Sequence, residues 1–298
     1  MLAGLAALPL QPAYASAAAG FVVLGDWGRM GGDSQAHVAA AMGDAAAEIG
    51  SRFVISTGDN FYPAGVQSVH DPHWKLSFED IYTAPALQTP WYAALGNHDY
   101  RGVPRSQVHY THHSERWRMP HRFYKVTEAE HGTPGLDIFV MDTSPLVQGR
   151  HEEIAQLVHG HLWKARFGRQ FRWLQHELAQ STAPWKVVVG HHPIYSGSHG
   201  DTEVLVERIA PLLEQNGVQV YLNGHDHSLQ HIARGGVNYV CSGAGSEASK
   251  VVAIKGTQFC AARPGFAMFA LQGQSLMMAF RDLGGKTLYS TAIPRARA

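Results

Sequence analysis

The chain of 298 residues is 45% hydrophobic, 16% charged and 10% aromatic, a soluble globular composition with room for one large domain or two ordinary ones. Lys+Arg and Asp+Glu both number 24, so the formal net charge is zero. This excludes nucleic-acid or anionic-membrane binding by bulk electrostatics. In chain order, residues 1–10 (MLAGLAALPL) are a short apolar run, and Ala13-Tyr14-Ala15 offers a small-residue cleavage site before Ser16. The segment 1–19 reads as a secretory leader lacking its positive start, or else as an alanine-rich disordered tail. The leader reading predicts a secreted or periplasmic protein. No other stretch approaches the roughly 18 apolar residues of a membrane span, so no stable membrane anchor is expected.

Phe21–Leu24 is an apolar run ending at Gly-Asp and reads as a buried strand. Residues 36–49 carry Ala39, Met42, Ala46 and Ile49 at helical spacing. Phe53–Ser56 is a second strand ending at Gly-Asp. Residues 62–78 read as a loop leading to a short helix, Trp91–Leu95 as a strand ending at Gly-Asn, and 101–121 as a polar loop. Leu136–Met141 is a strand, and 151–180 contain a helix with the face Phe171, Leu174 and Leu178. Trp185–Val189 is a strand ending at Gly-His. Residues 202–215 read as one amphipathic helix, and Val218–Leu222 as a strand ending at Asn-Gly-His. From 235 onward the chain reads as short strands and turns. Strand–helix alternation over three quarters of the length predicts a layered α/β fold with largely parallel strands. No long linker or internal repeat appears, so 20–298 are expected to form one domain.

Five strand ends share a glycine followed by a metal-ligand type. They are Gly25-Asp26, Gly58-Asp59 with Tyr62 beyond it, Gly96-Asn97, Gly190-His191 and Gly224-His225 with His227 beyond it. Carboxylate, imidazole, amide oxygen and phenolate all ligate first-row metals, and ligands in such sheets sit at the carboxyl ends of strands. A lone Gly-Asp is usually a turn; five such corners in order, each after an apolar strand, are hard to explain as turns.

These motifs resemble the calcineurin-like metallophosphatase superfamily, and within it the purple acid phosphatases of the tartrate-resistant type. The matching positions are Asp26-Trp27-Gly28, Gly58-Asp59-Asn60-Phe61-Tyr62, Gly96-Asn97-His98-Asp99, Val188-Val189-Gly190-His191 and Gly224-His225-Asp226-His227. The resemblance implies two mixed β-sheets packed as a sandwich flanked by helices (α/β/β/α). It implies one metal, typically Fe(III), on Asp26, Asp59, Tyr62 and His227. It implies a second, divalent metal (Fe, Zn or Mn) on Asp59, Asn97, His191 and His225. The chemistry of the residues agrees. Asp59 has two oxygens and can bridge, the Tyr62 phenolate suits a trivalent ion, and the histidine-rich site carries less negative charge. Tyr62 is the most discriminating residue, because plain two-metal phosphoesterases of the superfamily generally lack it.

The implied activity is acid hydrolysis of phosphate monoesters, with metal-activated hydroxide as nucleophile and inorganic phosphate as product. The substrate would be a small phosphomonoester or a phosphoprotein, and no nucleic-acid partner is expected. The leaving group needs a proton, and two histidines are candidates: His98, oriented by Asp99, and His199, in a loop where the family also carries a His-Gly. The donor is undecided between them. His192 is read as pointing away from the metals. His109, His112, His113, His159 and His161 read as surface residues, although His109 and His113 have i, i+4 spacing. Gly243-Ala244-Gly245 reads as a turn. Loops 100–121 and 144–168 would set substrate choice. Cys241 and Cys260 are compatible with a disulfide or with a buried free thiol at Cys241. Two rival readings are a phosphodiesterase or nucleotidase on the same scaffold, and a non-catalytic metal-binding protein.

Overall fold

The computed structural model describes residues 19–148 and 168–295. The leader-like residues 1–18, His159 and His161 lie outside these residues, as does most of the helix expected over 151–180. Its described part, 168–180, is helical and buries Leu174 and Leu178, with Phe171 packed beside them.

The apolar runs form the parallel centres of two seven-stranded mixed sheets. In the first sheet β1 (Gly20–Leu24), β2 (Ser51–Ser56), β3 (Trp91–Ala93) and β4 (Trp117–Arg118) run parallel. On the other side of β1 the sheet continues antiparallel through β12 (Gly265–Gln272), β13 (Ser275–Asp282) and β14 (Thr287–Pro294). In the second sheet β6 (Leu136–Val140), β7 (Trp185–Val189), β8 (Val220–Asn223) and β10 (Val237–Ser242) are parallel. Antiparallel β5 (Tyr124–Val126) closes one edge, and β9 (Leu229–Arg234) with β11 (Thr257–Ala261) closes the other.

Both faces of the central strands are covered, which is why their sequences are apolar without alternation. Ile138, Val140, Val187, Val220 and Leu222 join the large cluster that also holds Phe21 and Ile55 of the first sheet. Their neighbours Phe139, Val188 and Tyr221 face the second cluster, with Leu174 and Leu178 and with Leu205 and Leu213 from the helices after β7. Phe21 stands in register between Phe53 and Phe269, stacked on each at 4.9 Å. The helix Gln35–Glu48 covers the first sheet and buries Val38, Met42 and Ala46. The α/β/β/α layering expected from the resemblance is present.

Local corrections follow from identifiable residues. The polar stretch 101–121 is not all loop: Pro104 starts a helix, Pro104–Tyr110, using a position where its missing N–H costs nothing. The helix expected over 202–215 is two, Glu203–Arg208 and Ala210–Gln215, with Pro211 in the first turn of the second. Cys241 and Cys260 are both free thiols. They pair across opposite edges of β9, each opposite Gln230. Two strand spacings, about 10 Å, exceed the Cα separation a disulfide can span.

Candidate metal centre

All five glycine corners lie at the carboxyl ends of parallel strands and converge where the two sheets meet. The sequence suggested that glycine supplies the turn. In the structure the left-handed backbone belongs mostly to the next residue: φ is 60° at Asp26, 48° at Asp59 and 68° at His225. Such angles in non-glycine residues are strained and cluster at functional sites. Glycine serves close approach instead. A Cβ on Gly96 would lie 2.1 Å from Asp59 Oδ1, and one on Gly224 2.3 Å from Asp26 Oδ2.

Packing fixes the loop that carries Asp26. The Trp27 indole is fully buried among Phe61, Tyr82 and Trp91, and its Nε1–H donates to Ser56 Oγ at 2.8 Å. Truncating such a side chain costs about 3–5 kcal/mol, so the loop is held by the core.

The seven expected ligands come together in two groups. Tyr62 Oη lies 3.0 Å from each of Asp26 Oδ1, Asp59 Oδ2 and His227 Nε2. Asn97 Oδ1 lies 3.1 Å from His191 Nε2 and 3.0 Å from His225 Nδ1. Asp59 Oδ2, 3.4 Å from His191 Nε2, joins the groups. One phenolic proton cannot satisfy both carboxylate oxygens at once. His191 Nδ1 donates to the Thr57 carbonyl at 3.0 Å, which leaves Nε2 facing Asn97 Oδ1 and Asp59 Oδ2. Oxygen and nitrogen atoms of metal-ligand type therefore converge on two points. Asp26, Asp59 and His191 can hold a metal ion, with ligand atoms within 4.8 Å of one another.

The electrostatics say the same. Asp26 and Asp59 are 1% and 2% exposed, and buried carboxylates need compensating positive charge. Burial opposes the charge on Asp59, but the His191 and His98 imidazoles outweigh it and hold the carboxyl below its usual range. Burial works against a charged His191, yet Asp59 holds that imidazole up to about 9. Next to it, burial and the His191 charge push His225 down to about 3. Burial and both aspartates raise the Tyr62 phenol well above its normal value. A cation is what would make the phenolate accessible.

The remaining expected residues divide. His98 packs its ring 4.4 Å from Tyr62 and holds Nδ1 2.7 Å from the Pro63 carbonyl. Asp99 does not orient it. The Asp99 carboxylate is fully buried and accepts N–H groups from Asn60, Gly96 and Gln107. Burial and the Asp59 charge push it up to about 7. It braces the corners that carry Asp59 and Asn97. His199 lies beside His225, with ring centroids 5.1 Å apart, and its Nδ1 is 2.7 Å from Asp226 Oδ1.

Asp226 has no exposed surface and also accepts from Ser196 Oγ at 2.5 Å and Gln230 Nε2 at 2.8 Å. Sequence reasoning passed over Asp226, although its place between His225 and His227 was a signal. His192 does not ligate: Thr143 holds its Nδ1, and burial with the neighbouring His191 and His225 pushes its pKa well below normal. Its ring nevertheless lines a cavity beside His225 and His199. His109 is bound to Arg105 at 3.1 Å, and His113 packs on His70 and Tyr110. Neither joins the centre.

The calcineurin-like phosphoesterase profile matches residues 20–229. Purple acid phosphatase 17 of Arabidopsis thaliana is 42% identical over 250 residues, covering 80% of this chain and 72% of that protein. Tartrate-resistant acid phosphatase type 5 of Homo sapiens is 33% identical over 310 residues, covering 97% and 94%. Among solved structures, the purple acid phosphatase PPD1 from yellow lupin superposes with a TM-score of 0.67 at 14% identity, over 93% of this chain and 54% of that one. GAP50, the anchor in the inner membrane complex of Plasmodium, superposes with a TM-score of 0.80 at 23% identity, over 93% and 89%. At these identities the structural likenesses show the fold alone. No helix among the described residues is long and apolar enough to cross a membrane. The chain belongs to the calcineurin-like phosphoesterase family, among the purple acid phosphatases, and its activity is that of an acid phosphatase.

Proposed function

We propose that this protein hydrolyses phosphate monoesters at a dinuclear Fe(III)–M(II) centre, where M is Fe, Zn or Mn. The observation that carries this is the pair of donor groups around Tyr62 Oη and Asn97 Oδ1, joined by Asp59. Asp26, Asp59, Tyr62 and His227 would hold the trivalent ion. Their phenolate and two carboxylates are hard anionic donors. Asp59, Asn97, His191 and His225 would hold the divalent ion, with a single anionic residue among them. Metals so held supply Lewis acidity at the phosphoryl oxygens and lower the pKa of water.

The protein's own groups do the rest. His98, pinned through Nδ1 to the Pro63 carbonyl, would offer Nε2 to the phosphate. His199, pinned through Nδ1 to Asp226, would turn Nε2 toward the departing alkoxide and deliver its proton. This favours His199 over His98 as the proton donor, because a buried carboxylate fixes the direction of its ring. Substrates would be small phosphomonoesters or phosphoproteins, releasing inorganic phosphate. The leader-like residues 1–15 support export to the periplasm or outside the cell.

Purified protein should turn over p-nitrophenyl phosphate and leave bis(p-nitrophenyl) phosphate almost untouched. Turnover of the diester alone would establish the phosphodiesterase reading instead. Absence of turnover with two bound metals would establish a non-catalytic metal protein.

A further inference from the structure

Three residues past Asp26, the same loop carries a cation onto the centre. The guanidinium carbon of Arg29 lies 4.1 Å from the centroid of the Tyr62 ring. The loop is fixed from beneath. Gln35 has no exposed surface, and its Oε1 accepts the backbone N–H groups of Arg29 and Gly31, each at 2.9 Å. Ser77, equally buried, accepts that of Met30 at 2.9 Å. Met30 and Asp33 take left-handed backbone angles, φ 53° and 50°. Non-glycine residues persist at such angles only where the surroundings hold them there.

Arg29 uses its in-plane donors elsewhere and keeps its flat face for Tyr62. Its Nε–H donates to Ser246 Oγ at 3.0 Å, and its Nη2 donates to Glu247 Oε2 at 2.7 Å. The fully buried Ser246 hydroxyl in turn donates to the Asp26 carbonyl at 2.6 Å. Glu247 Oε2 also lies 3.6 Å from His227 Nδ1. One side chain therefore touches Tyr62 directly and reaches Asp26 and His227 through one residue each. These are three of the four residues assigned above to the trivalent ion. A surface ion pair with Glu247 would by itself contribute little, and it would not require the guanidinium to lie on a ring.

We propose that Arg29 is a positioning residue that sets the donor strength of the Tyr62 phenolate. The proposal rests on the Fe(III) reading above. A guanidinium stays charged at every working pH. On the ring face it attracts the electrons of the phenolate, so Tyr62 donates less to the ion it would hold. That ion is then easier to reduce, and the phenolate-to-iron transition needs more energy.

The test is the visible spectrum and the midpoint potential of the iron-loaded protein, with metal content measured. Arg29→Gln and Arg29→Met remove the charge. Both should move the charge-transfer band to longer wavelength and lower the potential, by about tenfold in the one-electron equilibrium, or ~59 mV. Arg29→Lys keeps a charge without the planar stack and should recover part of both shifts. A clamp with no electronic role predicts that the Lys variant behaves as the Gln variant does. Glu247→Gln keeps an acceptor for Arg29 and removes the opposing charge, so it should shift both readouts the other way. Glu247 is 52% exposed, so this variant reads the proposal even where the Arg29 variants lose metal. An unmoved band and potential in Arg29→Gln with iron retained, or shifts of Glu247→Gln in the direction given for Arg29→Gln, would overturn the role of Arg29. A parent protein without iron and without the band would overturn the Fe(III) reading instead.

Discussion

The His199 imidazole, 59% exposed, is fixed at 2.7 Å to the carboxylate of Asp226, which has no exposed side-chain surface. An exposed ring tied to a buried, triply bonded acceptor has a set orientation, and this is what proton delivery requires. His199→Ala should therefore lower kcat by about 100-fold on alkyl phosphates, whose leaving alkoxide needs the proton. The loss on p-nitrophenyl phosphate, whose phenolate leaves unaided, should be far smaller. Steady-state kinetics on both substrates, with metal content measured, checks this. Equal losses on both would assign His199 to phosphate binding rather than to proton transfer.

Gly96 is required by Asp59, not by its own backbone. An added Cβ would lie 2.1 Å from Asp59 Oδ1 and 2.2 Å from the Asp59 nitrogen. Gly96→Ala must displace the one carboxylate shared by both donor groups. The expected outcome is a folded protein that loses most of both metals, as Asp59→Ala does. Retention of one metal at full occupancy in either variant would count against the bridging role of Asp59. Circular dichroism with metal analysis separates this from unfolding.

Asp142 gives a stability signature at a residue outside the expected ligand set. It is 3% exposed at the end of β6 and accepts a hydrogen bond from Tyr100. Burial outweighs that bond and pushes the carboxyl up to about 7. The unfolded chain would hold it near 3.9, so the native state binds the proton more tightly. Its contribution is fully present below about pH 4 and is lost as pH rises toward 7. Asp142→Asn should gain more in Tm over the parent at pH 8 than at pH 5. A gain independent of pH would refute the assignment.

The two cysteines differ in reactivity without a bond between them. Cys241 is buried, which pushes its thiol well above the normal range, whereas Cys260 is partly exposed. Thiol titration should find one fast-reacting group in native protein and two after denaturation. A reduction-sensitive shift on gel electrophoresis would indicate a disulfide and contradict the strand register.

Much of this was legible before the fold was seen, for a physical reason. Strands buried on both faces must be apolar throughout, and ligands at their ends must follow a glycine wherever a carboxylate presses against that position. Phe21–Leu24 with Asp26 and Phe53–Ser56 with Asp59 carry both signals. Strands β4, β5, β9 and β11 were missed. β4 has two residues and β5 three, and β11 at the sheet edge and β9 beside it mix polar with apolar residues. None contains a run long enough to show a period. Residue partnerships were less legible than residue identities. Asp99 follows His98 in sequence but turns inward to Asn60, Gly96 and Gln107, whereas the carboxylate that orients a catalytic histidine, Asp226, lies 27 residues from it. Adjacency in the chain says nothing about the face to which a loop side chain turns.

The measurement that tests the central claim most directly is the metal content of the purified, oxidised protein together with its visible spectrum. The arrangement around Tyr62 predicts two metal ions per chain, one of them iron, and a phenolate-to-Fe(III) charge-transfer band that Tyr62→Phe abolishes. A colourless, fully active protein containing two zinc ions would contradict it.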